Sequence, residues 1–132
     1  MTQAPELLVG LMSGTSLDGV DAALVKIAGP TRVELLGFVH RGYSAAERGQ
    51  IEAVLAGTSI AETAHLHVAL AEWAAEAIDT LLATTHTRAD ALAAITFPGQ
   101  TLWHEPPRVT LQLGEPAVLA ERFGVRIVSN LR

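Results

Sequence analysis

The chain has 132 residues, 49% of them hydrophobic, and a formal net charge of -5. That is enough apolar material for one domain with a real core and too much for a disordered segment. Lys26 is the single lysine and the arginines are scattered, so no basic stripe supports nucleic-acid binding, and the absence of cysteine excludes disulfides and thiolate metal sites.

Glu6–Met12 reads as a strand. Val20–Ile27 is apolar on both faces except for Asp21 and Lys26, the pattern of a central strand. Gly29-Pro30 marks a turn, and Arg32–His40 reads as a third strand, which makes a meander. Ser44 with Glu47 three residues on forms a capping box for a helix that runs to about Leu55 and ends near Gly57. A longer helix covers roughly Ile60–Thr84, where Leu66, Leu70, Trp73, Ala77 and Leu81 recur as a buried stripe. Trp73 falls on that stripe and so reads as core. Ala89–Phe97 is a short helix or turn leading into a strand, stopped by Pro98-Gly99. Val109–Leu113 is a further strand. Pro116 opens a helix that ends at Gly124, and Val125–Ser129 returns as a strand. The order is β-β-β-α-α-β followed by β-α-β, an α/β fold without repeats or low-complexity linkers. There is no signal peptide pattern and no apolar stretch long enough to span a membrane. The expected location is the cytoplasm, with no membrane partner.

Chemistry concentrates in the first hairpin, Ser13-Gly14-Thr15-Ser16-Leu17-Asp18-Gly19. Two glycines let the backbone approach a ligand, and successive N–H groups can form an anion-binding nest. Thr15 and Ser16 add hydroxyls. The Gly-Lys-Ser/Thr of a Walker A loop is missing, so positive charge would have to come from Mg²⁺, held by Asp18 or Asp21 through waters. A plain hairpin turn with an acid at its exit is the alternative reading of the same residues.

Other polar candidates are weaker. His65 and His67 lie two apart on a helix, on different faces, which suits surface or packing roles better than a metal. His40 and His86 look isolated and solvated. His104, beside Trp103 and Glu105, reads either as a ligand contact or as a structural loop residue. Gln100 and Thr101 follow a strand end, where ligands sit in α/β folds. Gln112, at the inward end of an apolar strand, needs a partner that a substrate hydroxyl or a backbone group would serve equally. Arg132 could pair with a phosphate or carboxylate or simply fray.

The run Leu11-Met12-Ser13-Gly14-Thr15-Ser16-Leu17-Asp18-Gly19-Val20-Asp21 closely resembles the signature of the anhydro-N-acetylmuramic acid kinases, members of the actin/hexokinase/Hsp70-like ATPase superfamily. Gly99-Gln100-Thr101 with His104-Glu105-Pro106 resembles a second family segment. Gln112-Leu113-Gly114-Glu115-Pro116, followed by Leu119-Ala120-Glu121 and Gly124, resembles a third. The resemblance implies a ribonuclease H-like, actin-type ATPase lobe with a mixed five-stranded sheet, residues 1–132 being the N-terminal lobe of a two-lobed sugar kinase. It implies ATP and Mg²⁺ at Gly14, Thr15, Ser16, Leu17, Asp18, Gly19, Val20 and Asp21, with Asp18 and Asp21 toward the metal. It implies an anhydro amino sugar at Gln100, Thr101, His104 and Gln112, and a homodimer.

The activity so implied is ATP-dependent conversion of 1,6-anhydro-N-acetylmuramic acid to N-acetylmuramic acid 6-phosphate with hydrolytic ring opening, in cell-wall recycling. Two departures stand out. Pro98 replaces a histidine of the family's sugar site, and Asn130 replaces an aspartate after the last strand. By resemblance the general base lies beyond residue 132, so these residues alone are expected to be inactive. The alternative is a truncated, non-catalytic nucleotide-binding or interaction module.

Overall fold

The structure is a computed structural model and describes residues 4–131. Its strands are β1 (Glu6–Met12), β2 (Gly19–Ile27), β3 (Val33–Gly42), β4 (Leu92–Phe97), β5 (Gln100–Glu105), β6 (Val109–Leu113) and β7 (Ile127–Ser129). Its helices are α1 (Ala45–Leu55), α2 (Ile60–Thr84) and α3 (Pro116–Phe123), with one 3₁₀ turn at Ala89–Ala91. Five strands form a mixed sheet in the order β3-β2-β1-β4-β7. The β1–β2 and β2–β3 pairs are antiparallel; β1–β4 and β4–β7 are parallel.

Period-2 alternation sends Val9 and Leu11 of β1, Val20, Ala22 and Leu24 of β2, and Ile95 and Phe97 of β4 to one face. That face packs on α2 through Ala71, Ala74, Ala75, Ala77, Ile78 and Leu81. The alanines let helix and sheet approach closely. At Gly37 there is no room for a side chain, since a Cβ there would lie 2.4 Å from the Thr85 methyl. The alternate positions face outward, and Met12, Leu35 and Phe38 among them are exposed. A second cluster of Ile51, Leu66, Leu70, Trp73, Leu102 and Leu113 joins α1 and α2 to the β5–β6 hairpin.

Local chemistry sets the ends of the helices. Ser44 and Glu47 form the expected capping box on α1, and Ser59 and Glu62 form one on α2. Pro116 opens α3, and Gly124 closes it with φ 63°.

Val109–Leu113 is a strand, as expected, and it pairs antiparallel with Gln100–Glu105 in a separate two-stranded sheet. Two expectations need correction. Gln100–Glu105 is itself a strand and not the loop after a strand end. Pro98-Gly99 ends β4, but the chain resumes extension at once because Leu102 and Leu113 find a shared apolar seat on α2. His40 is not isolated either. It lies opposite Asp21 in the β2–β3 register and its Nδ1 is 2.6 Å from Oδ1 of Asp21. Arg132 lies outside the described residues.

Candidate functional site

The loop joining β1 to β2 is held from below and from the side, and left open on top. The Leu17 N–H donates to the Gly14 carbonyl (3.3 Å) in a tight turn, with Leu17 itself at φ 56°. The Leu17 side chain packs on the second apolar cluster, and its carbonyl accepts from Arg48 Nε of α1 at 2.9 Å. The Asp18 carbonyl accepts from the Tyr43 N–H at 2.9 Å. Beneath the loop, Ser13 Oγ donates to the Gly99 carbonyl (3.3 Å) and Gln100 Nε2 donates to the Gly14 carbonyl (3.1 Å).

Gly14, Thr15, Ser16 and Asp18 remain exposed. Among the described residues, the N–H groups of Gly14, Thr15 and Ser16 and the two hydroxyls of Thr15 and Ser16 meet no protein partner. Exposed, unpaired donors on consecutive residues of a fixed loop are what an anion of several oxygens requires.

The two acids differ. The Asp18 side chain is exposed and, among the described residues, unengaged by other side chains. Asp21 is paired with His40, and both side chains are 45% exposed. No group of three His, Asp or Glu residues able to hold a metal occurs among the described residues. Asp18 and Asp21 are oxygen donors of the kind a hard cation takes, and they do not make an all-protein cage.

The four residues expected toward the sugar fall into two groups. Gln100, Thr101 and Gln112 lie where the β5–β6 hairpin meets the loop. Gln100 is completely buried. Thr101 Oγ1 donates to Gln112 Oε1, and Gln112 Nε2 donates to the Pro98 carbonyl at 2.9 Å. The partner Gln112 finds here is therefore backbone plus Thr101. His104 lies farther out on β5, where its Nδ1 meets Thr110 Oγ1 at 2.9 Å on the exposed hairpin. His67 fills a packing role: Nδ1 accepts from the Gly114 N–H (2.9 Å), so Nε2 carries the ring proton and donates to Glu115 at 3.2 Å.

The β3–α1 junction supports the loop, and beyond the Ser44–Glu47 capping box the sequence does not single out its Arg41 and Tyr43. Arg41 grips Glu47 with Nη1 and Nη2, both at 2.8 Å, reaches Glu76 with Nε at 2.7 Å, and lies over the Trp73 ring. The hydrogen bonds from Arg41 hold the Glu47 carboxyl below the ordinary glutamate range. Tyr43 stacks at a tilt on Trp73, centroids 5.5 Å apart. Burial pushes its phenol up, and the nearby Ser13 hydroxyl offsets part of that rise. A signal for Tyr43 and Arg41 did exist: both flank the Ser44 cap, where chain direction must reverse beside the loop.

A meander feeding two parallel strands, with a glycine- and hydroxyl-rich loop in the first hairpin, is the arrangement of an incomplete actin-like lobe. Sequence comparison narrows the class. A profile of anhydro-N-acetylmuramic acid kinases matches residues 6–132. The chain is 45% identical over 131 residues to the anhydro-N-acetylmuramic acid kinase of Chromohalobacter salexigens, covering 96% of this chain and 35% of that protein. It is 41% identical to the enzyme of the same name from Rhodospirillum rubrum (94% and 33%) and 41% identical to that from Gloeobacter violaceus (97% and 36%). The chain belongs to the anhydro-N-acetylmuramic acid kinase family and spans about a third of the length of these curated relatives.

Proposed function

We propose that this chain is the N-terminal part of an ATP-dependent kinase that converts 1,6-anhydro-N-acetylmuramic acid to N-acetylmuramic acid 6-phosphate. The observation that carries the reading is the open row of unpaired donors at Gly14, Thr15 and Ser16 on a loop braced from three sides. In the proposed reaction, water gives a proton to a general base not among these residues and adds to the anomeric carbon, and the C1–O6 bond of the anhydro bridge breaks, its electron pair going to the 6-oxygen. The 6-oxygen attacks the γ-phosphorus, and ADP leaves.

The roles proposed for this chain are of positioning and charge. The Gly14–Ser16 N–H groups and the Thr15 and Ser16 hydroxyls orient phosphate oxygens. Mg²⁺, when bound, neutralises phosphate charge, and Asp18 would hold its waters. Asp21 is the second candidate, its orientation set by His40. Thr101, Gln112 and His104 present polar groups toward the sugar, and Gln100 supports the loop beneath them. Because Pro98 offers only its carbonyl, already used by Gln112, the sugar contact of the family histidine is lost or moved here. The protein is proposed to act in the cytoplasm as a homodimer.

The test is a phosphoryl-transfer assay on the full-length protein with ATP, Mg²⁺ and the anhydro sugar, following ADP and the 6-phosphate product. Stoichiometric formation of both is the expected result. ATP binding without any sugar phosphate would refute the kinase reading and favour a nucleotide-binding module.

A further inference from the structure

Beneath the loop, two buried polar atoms of the described residues have no protein partner within hydrogen-bond distance: the Tyr43 hydroxyl, which has Ser13 nearby, and Oε1 of Gln100. The rest of the Gln100 amide is committed. Its Nε2 donates to the Gly14 carbonyl at 3.1 Å and to the Thr101 carbonyl at 3.3 Å. Turning the amide over would put Oε1 against those two carbonyl oxygens, so its orientation is settled and Oε1 remains orphaned. Gln100 is completely sealed from solvent, and buried acceptors are rarely left unsatisfied.

Tyr43, Gln100 and Ser13 line one small cavity, whose other walls are largely apolar and include Leu11, Leu70 and Phe97. It leaves about 10 Å³ for the centre of a water-sized molecule. That is the least volume that holds one water, and far too little for anything larger.

We infer that this cavity is a binding site for a single water molecule. The donor and acceptor count closes. The water accepts from the Tyr43 hydroxyl and donates to Gln100 Oε1. Its second proton goes to Ser13 Oγ, whose own proton is given to the Gly99 carbonyl. Three partners are what buried waters usually have. The water joins the loop, the β3–α1 junction and β5, three segments distant in sequence. Tyr43 and Gln100 thereby become positioning residues for the Ser13–Gly14 stretch, and neither needs to touch a ligand. The site stands whether or not the kinase reading does.

A high-resolution crystal structure of the full-length protein tests it. The expected result is one ordered solvent oxygen about 2.6–3.2 Å from both Tyr43 Oη and Gln100 Oε1. A dry cavity, or a direct Tyr43–Gln100 hydrogen bond that fills it, would overturn the inference. Water-selective NMR provides a second measurement in solution. A long-lived water should transfer magnetisation to the Gln100 side-chain amide in the parent protein. Tyr43→Phe, which keeps the ring on Trp73 and removes only the hydroxyl, should weaken that transfer several-fold. Absence of transfer in the parent, or transfer unchanged in Tyr43→Phe, would count against the site.

Discussion

Gly19 and Arg41 approach so closely that a Cβ on Gly19 would lie 2.2 Å from the Arg41 carbonyl oxygen. The neighbour is backbone of the paired strand β3 and cannot swing away. Gly19 is thus required by strand pairing, quite apart from any ligand. Gly14 differs: a Cβ there would meet nothing nearer than Ser16 Oγ at 3.7 Å, and its φ lies outside the left-handed region. Gly19→Ala is expected to cost about 1–3 kcal/mol, the usual penalty of overpacking. Gly14→Ala should stay within about 0.5 kcal/mol. Urea denaturation of the two variants, compared at equal slope, checks both figures, and equal losses would contradict the distinction.

The Arg41–Glu47 pair should make stability depend on acid. The two side chains are only 20% and 18% exposed and meet through a two-pronged contact. Glu47 has a folded-state pKa below its unfolded value of 4.5 because Arg41 donates to it. A depressed carboxyl stabilises the fold above the unfolded pKa, and that contribution is lost as pH falls through the folded one. Glu47→Gln should therefore destabilise at pH 7 and flatten the fall in stability below about pH 4.5. Arg41→Met, which also strands Glu76, should cost about 2 kcal/mol at neutral pH. Thermal melts across pH 3–7 would report both effects (~4 pH units of titration).

Much of this fold could be read directly from residue order. The capping box of Ser44 and Glu47 and the proline-to-glycine span of α3 are local signals, and the structure bears them out. β6 was legible, and its partner β5 was hidden because Gln100-Thr101 follows Pro98-Gly99 and reads as loop. Only Leu102 and Leu113, by meeting on α2, justify the strand. His40 was hidden by register. A bulge between Leu24 and Val25 shifts the β2–β3 pairing by one residue. Without it Asp21 would face Val39, and a one-residue slip exchanges the two faces of a strand. Non-local pairing of this kind leaves no local trace.

His67 should matter for the start of α3. The imidazole accepts from the Gly114 N–H and the His67 carbonyl accepts from the Glu115 N–H at 3.0 Å, so one α2 residue holds two successive amides. Gly114 has no freedom to compensate, since a Cβ there would lie 2.5 Å from the Phe97 ring. His67→Ala removes the imidazole contact only and is expected to cost about 1–2 kcal/mol. Hydrogen exchange at Gly114 should accelerate, while exchange at Glu115 changes less. Identical acceleration at both amides would indicate general loosening in place of a lost bond.

Asp18 of the loop and Asp21 of β2 should separate in the full-length protein if it acts as the proposed kinase. Asp18 is exposed, and among the described residues its carboxylate meets no side-chain partner, so Asp18→Asn removes charge without disturbing packing. If it holds magnesium through waters, the rate should fall about 10- to 100-fold, as for lost outer-sphere partners, with the melting temperature unchanged. Asp21 is already engaged by His40 at 2.6 Å. Asp21→Asn should therefore do two things, weakening catalysis and releasing the imidazole. His40→Ala alone should mimic the part of the loss that comes from orientation of Asp21. Measuring turnover across a magnesium titration distinguishes the cases. A loss recovered by excess Mg²⁺ indicates weakened metal binding, and an unchanged rate in Asp18→Asn removes that residue from the metal role.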